Sequence, residues 1–403
     1  MTADSDLISV ASLEAFVALA GARLWRERLA AIERAVAQGQ RQGQAALQRH
    51  SVEVTIERLR RRSIRAPGAA ERRLAALAAE AVRTHRGLSR GGRERLRAAL
   101  RAGLAEGATL MPLVHLLRTA MMQRERGFDV RFAGFEDGAP FDLLLSRGGM
   151  EAELACDVVS AEEGRDVHRG AWVRLVDRID PDLQTWLSAH PGRYLLKLTL
   201  PQGLRESGLP EAGEPDALAA LHQRIRAMLE GSQRADQDEA AVLRLDPLML
   251  AAAQADENGL MSSLRREYGH EAHLAVTAAG GGVFVLAARA GRENEVAVAI
   301  RRRMAAVAPS RLTGARPGIL AMFIEDTDRL EWRHLREKLE LEGEARQFLT
   351  LPEARQVVAV TCVSRLELFA APGSAPEGEL RFRNPAHPAA RAAALAPAVM
   401  SSV

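Results

Sequence analysis

Lysine is nearly missing from this chain of 403 residues: of 55 basic residues only Lys197 and Lys338 are lysine, and the other 53 are arginine. A GC-rich coding composition produces such a ratio, so arginine content alone says little about nucleic-acid binding, while a lysine retained against the bias draws attention. Aromatic residues amount to 4%, which argues against a single-strand binder built on stacked bases. Cysteine is limited to Cys156 and Cys362, with no CxxC or Cys/His ligand spacing, so a disulfide framework is excluded and a structural zinc is not expected. No apolar run reaches membrane-spanning length without a charge, and the amphipathic stretch from Asp6 to Trp25 carries Glu14 and Arg23. Neither a signal peptide nor a membrane anchor is expected, and the cytoplasm is the expected compartment.

What remains has the balance of a globular protein, 47% hydrophobic and 27% charged, with length enough for two or three domains. Its charge is segregated. Residues 22–101 hold 20 Arg and 7 Glu, a net of +13, whereas the whole chain is only +3, which leaves the remainder acidic at −10. From Leu13 to Arg101 apolar residues recur at three- and four-residue intervals, as at Leu24, Leu29, Ile32 and Val36, and predict helices broken near Pro67-Gly68 and Gly91-Gly92. The densest basic cluster, Arg58, Arg60, Arg61, Arg62 and Arg65, suits phosphate binding by counterion release; it equally suits a solvated face, or one docked on the acidic part of the same chain.

After Gly107 the texture changes. An apolar helix from Leu110 to about Arg126 ends at Gly127, and extended segments follow at Phe128–Ala133, Phe141–Ser146, Met150–Val159 and Arg193–Leu200, with a helix over Asp166–His190 before the last. Beyond Pro201 the pattern gives further alternating helices and strands, including a hairpin closed near Gly280-Gly281-Gly282 and a last strand at Arg365–Phe369. The expected division is a basic helical region over 1–106, an α/β core over 107–212, an α/β region over 213–382 and a flexible tail over 383–403.

The stretch with chemical content runs from Pro140 to Asp157. It reads as a hairpin, and its turn sets which residues face each other. With Arg147-Gly148 as the turn Asp142 lies opposite Glu153; with Gly148-Gly149 as the turn it lies opposite Ala155, with Glu153 and Asp157 on its diagonals. Both registers put Asp142, Glu153 and Asp157 on one face. Carboxylates gathered there repel unless a cation or protons compensate, so they either hold a hard divalent metal such as Mg²⁺ or sit in water.

These residues resemble the PD-(D/E)XK, or restriction-endonuclease-like, nuclease superfamily over residues 108–202: helix, three strands, helix and strand, with Pro140-Phe141-Asp142 opening one strand and Glu153 on the next. The resemblance implies an α/β fold with a restriction-endonuclease-like core, flanked by a helical N-terminal region and an α/β C-terminal extension. It also implies that Asp142 and Glu153 hold Mg²⁺, assisted by Asp157. The superfamily's lysine two residues after the glutamate is Ala155 here, so the motif is degenerate; laid instead over Ala155-Cys156-Asp157, it loses both positions.

Lys197, on the strand expected beside the Glu153 strand, is the substitute candidate to orient water, with a solvent-facing lysine as the plainer reading. Arg165 and Arg169 are candidate phosphate contacts, and His168 a candidate general acid or base, though a histidine near a helix start more often packs or faces solvent. Glu325 to Asp328 are read as a helix cap, and the Gly280 run as a hairpin turn. The expected function is metal-dependent hydrolysis of DNA phosphodiesters. The alternative is an inactive nuclease fold kept as a nucleic-acid-binding or assembly subunit, and a scaffold docking on an acidic protein partner is a third reading.

Overall fold

The computed structural model describes residues 10–61, 67–205, 216–248, 257–366 and 379–401. Helices α1 (Val10–Ala20), α2 (Ala22–Val36), α3 (Gln40–Arg49), α4 (Ser51–Arg61), α5 (Ala69–Gly87) and α6 (Arg90–Gly103) come first. Then follow α7 (Met111–Glu125), β1 (Asp129–Arg131), the short α8 (Ala133–Glu136), β2 (Leu143–Arg147) and β3 (Met150–Ser160). A middle stretch holds α9 (Arg169–Ala189), β4 (Arg193–Leu200), α10 (Ala217–Glu230), β5 (Ala235–Gln237), β6 (Val242–Pro247), α11 (Glu257–Tyr268), β7 (His273–Ala279) and β8 (Gly282–Ala290). The last stretch gives α12 (Val296–Arg311), β9 (Gly318–Glu325), α13 (Arg329–Glu337), α14 (Glu340–Phe348), β10 (Val357–Ser364), β11 (Leu380–Arg383) and α15 (Ala396–Val399).

The fold is mixed α/β, but the chain does not divide consecutively as the sequence suggested. One unit takes residues 1–33, 47–161 and 297–403, and the other takes 34–46 and 162–296. The first unit holds a six-stranded sheet, β1-β2-β3-β9-β10-β11, in which β3, β9 and β10 run parallel and the remaining pairings are antiparallel. β9 and β10 carry near-continuous apolar runs, as strands covered on both faces do. On one face Leu143, Leu145, Ala152, Leu154, Ile319, Ala321 and Phe323 share a core with α7 and with apolar residues of α1, α4, α5 and α6. The N-terminal helices are therefore not a separate basic region: Leu13, Trp25, Ile56, Leu74 and Leu96 are buried in that core. Nor is the C-terminal stretch loose, because Ala390, Leu395, Ala398 and Val399 are buried in it as well.

The second unit holds a five-stranded sheet, β5-β6-β4-β8-β7, around the parallel pair β4 and β8. Its core joins Trp172, Leu175, Ile179 and Leu183 of α9 to Leu196, Leu198, Phe284 and Leu286. The Gly280 run closes the β7–β8 hairpin as expected. Asp328 caps α13, accepting from Leu330 N at 2.8 Å and Glu331 N at 2.9 Å. The helical stretch after Asp328 is divided into α13 and α14 at Leu339, whose φ is +59°. The strand expected at Arg365–Phe369 falls largely outside the described residues. Among them, no helix is long and apolar enough to cross a membrane.

Candidate functional site

The β2–β3 hairpin turns on Gly148-Gly149, since Arg147 pairs with Met150. Both glycines have positive φ, +54° and +77°, the backbone a two-residue hairpin turn demands and one that side chains resist. That register places Asp142 across from Ala155, so Asp142, Glu153, Ala155 and Asp157 share one face of the sheet. The opposite face of β3, with Ala152, Leu154 and Cys156, belongs to the α7 core.

Each of the three carboxylates meets donors from α12 or the loop after it. Asp142 Oδ2 accepts from the Cys156 amide at 2.7 Å and from Arg311 Nη2 at 2.7 Å. Glu153, wholly buried, is held by the Thr313 amide at 2.8 Å through one oxygen and by the Thr313 hydroxyl through the other, with Arg316 Nη1 at 3.8 Å. Asp157 takes a two-pronged grip from Arg303, with Nε at 2.5 Å and Nη2 at 3.0 Å. Glu151, further along the same face, pairs with Arg316 Nε at 2.7 Å. Burial pushes the Asp142 carboxyl above its ordinary pKa although Arg311 pulls it down, and burial beside Asp142 pushes the Cys156 thiol well up. Cys156 is thus a small buried side chain, not a nucleophile.

This donor set does not suit Mg²⁺. The carboxylate oxygens already face N–H and O–H donors, and a divalent cation there would be crowded by the Arg303 and Arg311 guanidiniums. Among the described residues no three His, Cys, Asp or Glu side chains converge as a metal site requires.

Lys197 is not beside these residues in the sheet, which corrects the expected adjacency. β3 lies between β2 and β9, whereas Lys197 is on β4 in the other unit's sheet. Its ammonium pairs with Asp246 Oδ2 at 3.2 Å and lies 5.9 Å from the Tyr268 ring centre. The physical reason is that residues 162–296 build a sheet of their own, so the parallel partner of β3 comes from β9. His168 and Arg169 also belong to that unit. His168 occupies the N-cap of α9 and its amide donates to Leu204 O at 2.8 Å. Arg169's amide donates to Glu162 Oε2 at 2.9 Å, and Arg165, with its side chain 1% exposed, pairs with the same carboxylate. Burial and the charges of Arg169 and Arg165 hold the His273 imidazole down at about 3. Arg165 is thereby a structural cation and not a surface contact for phosphate.

In the N-terminal helices Arg58 pairs with Glu71 at 2.6 Å and Arg61 with Glu57 at 2.5 Å. Arg62 and Arg65 lie outside the described residues. The residues that sequence reasoning missed are Arg303, Arg311, Thr313 and Arg316. Their signal was present as a cationic run, Arg301-Arg302-Arg303, and two further arginines placed directly before a strand in an otherwise acidic part of the chain. Comparison with protein-family models, with curated proteins and with solved structures finds no match to this chain.

Proposed function

We propose that this chain carries a nuclease-like core whose metal-binding carboxylates have been taken over by arginines, and that it works as a non-cleaving, nucleic-acid-binding component. Two features support the core. With residues 162–296 set aside, the first unit from α7 onward reads α7, β1, the four-residue α8, β2, β3, α12, β9, which apart from that single helical turn is helix, three strands, helix and strand, the order on which the resemblance rests. α12 and β9 then fill the places that the sequence reading gave to α9 and β4. Asp142 and Glu153 also fall where the motif's two acids would be, at the start of β2 and on β3.

The observation that carries the non-cleaving reading is charge compensation. Arg303, Arg311 and the Thr313 amide and hydroxyl occupy the ligand positions that a cation would need, and Ala155 stands where an amine would orient water. A metal-activated hydroxide has no group here to hold it.

The test is incubation of the full chain with duplex and single-stranded DNA and RNA in Mg²⁺ or Mn²⁺, alongside calorimetric titration with Mn²⁺. The expected result is intact nucleic acid, no metal-binding heat at the level of one site, and salt-sensitive retention of the oligonucleotide. Metal-dependent cleavage that Asp142→Ala abolishes would overturn the reading and restore the hydrolytic one.

A further inference from the structure

The first unit has a second basic surface, and its arginines differ in kind from those of α4. From Arg83 to Arg101 the chain carries seven arginines and one acid, Glu94. Some of the seven are spent. Arg83 pairs with Glu80 at 3.0 Å, and Arg95 donates to Phe135 O and Glu136 O, both at 2.6 Å. Arg93 folds back over the end of α5, donating to His85 O at 3.1 Å and Arg86 O at 3.0 Å, which ties the α5 terminus to α6. The His85 imidazole there is held below its ordinary pKa by burial and then by the charges of Arg97 and Arg93, so those guanidiniums crowd the same corner.

Arg86, Arg97 and Arg101 have no carboxylate within ion-pair distance among the described residues, and Arg90, with its side chain 95% exposed, has only Glu94 at 3.4 Å. Arg90, the half-buried Arg97 and Arg101 lie on one stripe of α6 turned away from the buried Gly92 and Leu96, with Glu94 as the one acid on that stripe. At 1.5 Å per residue that stripe is about 16 Å long. Arg86, Arg97 and Arg101, with no carboxylate beside them, outnumber the single acid of this face, and a local excess of guanidiniums favours a polyanion that supplies the missing charges.

We propose that the outer face of α6 together with the end of α5, presenting Arg86, Arg90, Arg97 and Arg101, is the surface on which this chain holds the phosphate backbone of a nucleic acid. It rests on the nucleic-acid-binding reading above and says where that binding occurs. The face lacks what a protein partner would need: among the described residues the exposed large hydrophobics are Val10, Leu47, Leu330, Leu339 and Met400, none of them on α6, whereas protein interfaces are anchored by buried apolar side chains. The scarcity of aromatic residues, 4%, fits contact with the backbone and not with stacked bases. α4 is a poorer candidate because its described arginines are already neutralised by Glu57 and Glu71.

The experiment compares the full chain with Arg86→Ala/Arg97→Ala/Arg101→Ala in binding a fluorescent duplex and a fluorescent single strand at several salt concentrations. A control removes the same number of charges where arginines sit beside carboxylates, Arg226→Ala/Arg333→Ala/Arg346→Ala. These are surface alanines on helices, so far-UV circular dichroism and Tm should match the parent in both variants. The expected result is affinity at least tenfold weaker in the first variant, with a salt slope shallower by about 2–3 for the duplex, and a control close to the parent. Parent-like binding by the first variant, or equal loss in the control, would overturn the surface while leaving nucleic-acid binding in place. A parent that binds neither strand type would overturn both. Displacement of the oligonucleotide by polyglutamate at equal charge, with no preference for nucleic acid, would assign the face to an acidic protein and overturn the proposal as well.

Discussion

The two sheets each place charged residues on a strand beside a parallel neighbour, and they treat those charges in opposite ways. In the first unit Glu153 is wholly buried on β3, and among the described residues its donors come from Thr313 and Arg316. In the second unit Lys197 on β4 has its side chain 43% exposed and pairs with Asp246, 24% exposed, which Arg244 also approaches at 2.9 Å. A buried carboxylate without donors is expensive, so the chain supplies a dedicated loop to satisfy it. An exposed ammonium is solvated with or without its partner, so its ion pair matters little. Depth, and not the presence of a charge, decides which side chains are structurally indispensable.

The largest effect expected lies beneath the first sheet. His115 on α7 is fully buried, with Nε2 2.8 Å from Ala321 O of β9, and burial holds its pKa at about 4 against an ordinary 6.5. Between those pH values the unfolded chain binds more protons than the native one, so stability falls as pH drops from 6.5 and levels off below about 4. The loss can reach about 3 kcal/mol. In denaturant titrations the parent should lose stability more steeply than His115→Gln as pH falls across that range; parallel curves would mean that the imidazole does not titrate with unfolding. His273 in the second unit, held at about 3, should act in the same direction. The contrast between the units therefore concerns their sheet carboxylates and Lys197, not every titratable group.

Thr313→Val tests the buried side of the comparison directly. It removes the hydroxyl from Glu153 and leaves the amide, and the expected loss is about 1–3 kcal/mol by urea denaturation. Arg311→Ala should release Asp142 to take up its proton more readily, raising a carboxyl pKa that is already elevated, as carboxyl infrared or NMR titration would show. On the exposed side Lys197→Met should cost under about 1 kcal/mol and lose even that at 1 M salt. If Lys197→Met proves as damaging as Thr313→Val, the distinction between the two sheets fails.

Local pattern made much of the fold legible. α7 ends at Gly127, whose φ is +84°, where a glycine cap was expected. β4 spans Arg193–Leu200 as read from its alternation. The carboxylate face of the hairpin followed from period-two geometry in either register, and the two glycines then fixed which one forms. The partners of those acids were hidden because Arg303, Arg311 and Thr313 are about 150 residues further along the chain, beyond the reach of any local periodicity. Lys197 misled for a related reason: a strand after a helix looks the same whether it returns to the old sheet or opens a new one.

The sequence by itself settled much of the alternation of helix and strand, the presence of the hairpin, and the set of acids sharing a face, because backbone preference and side-chain period act over a few residues. Only the tertiary structure decided that β9 and not β4 lies against β3, that arginines from α12 meet the acids, and that α4's arginines are paired while Arg86, Arg97 and Arg101 on α5 and α6 are not. Pairing and burial depend on contacts between distant segments, and a charge acquires its role from what the fold sets against it.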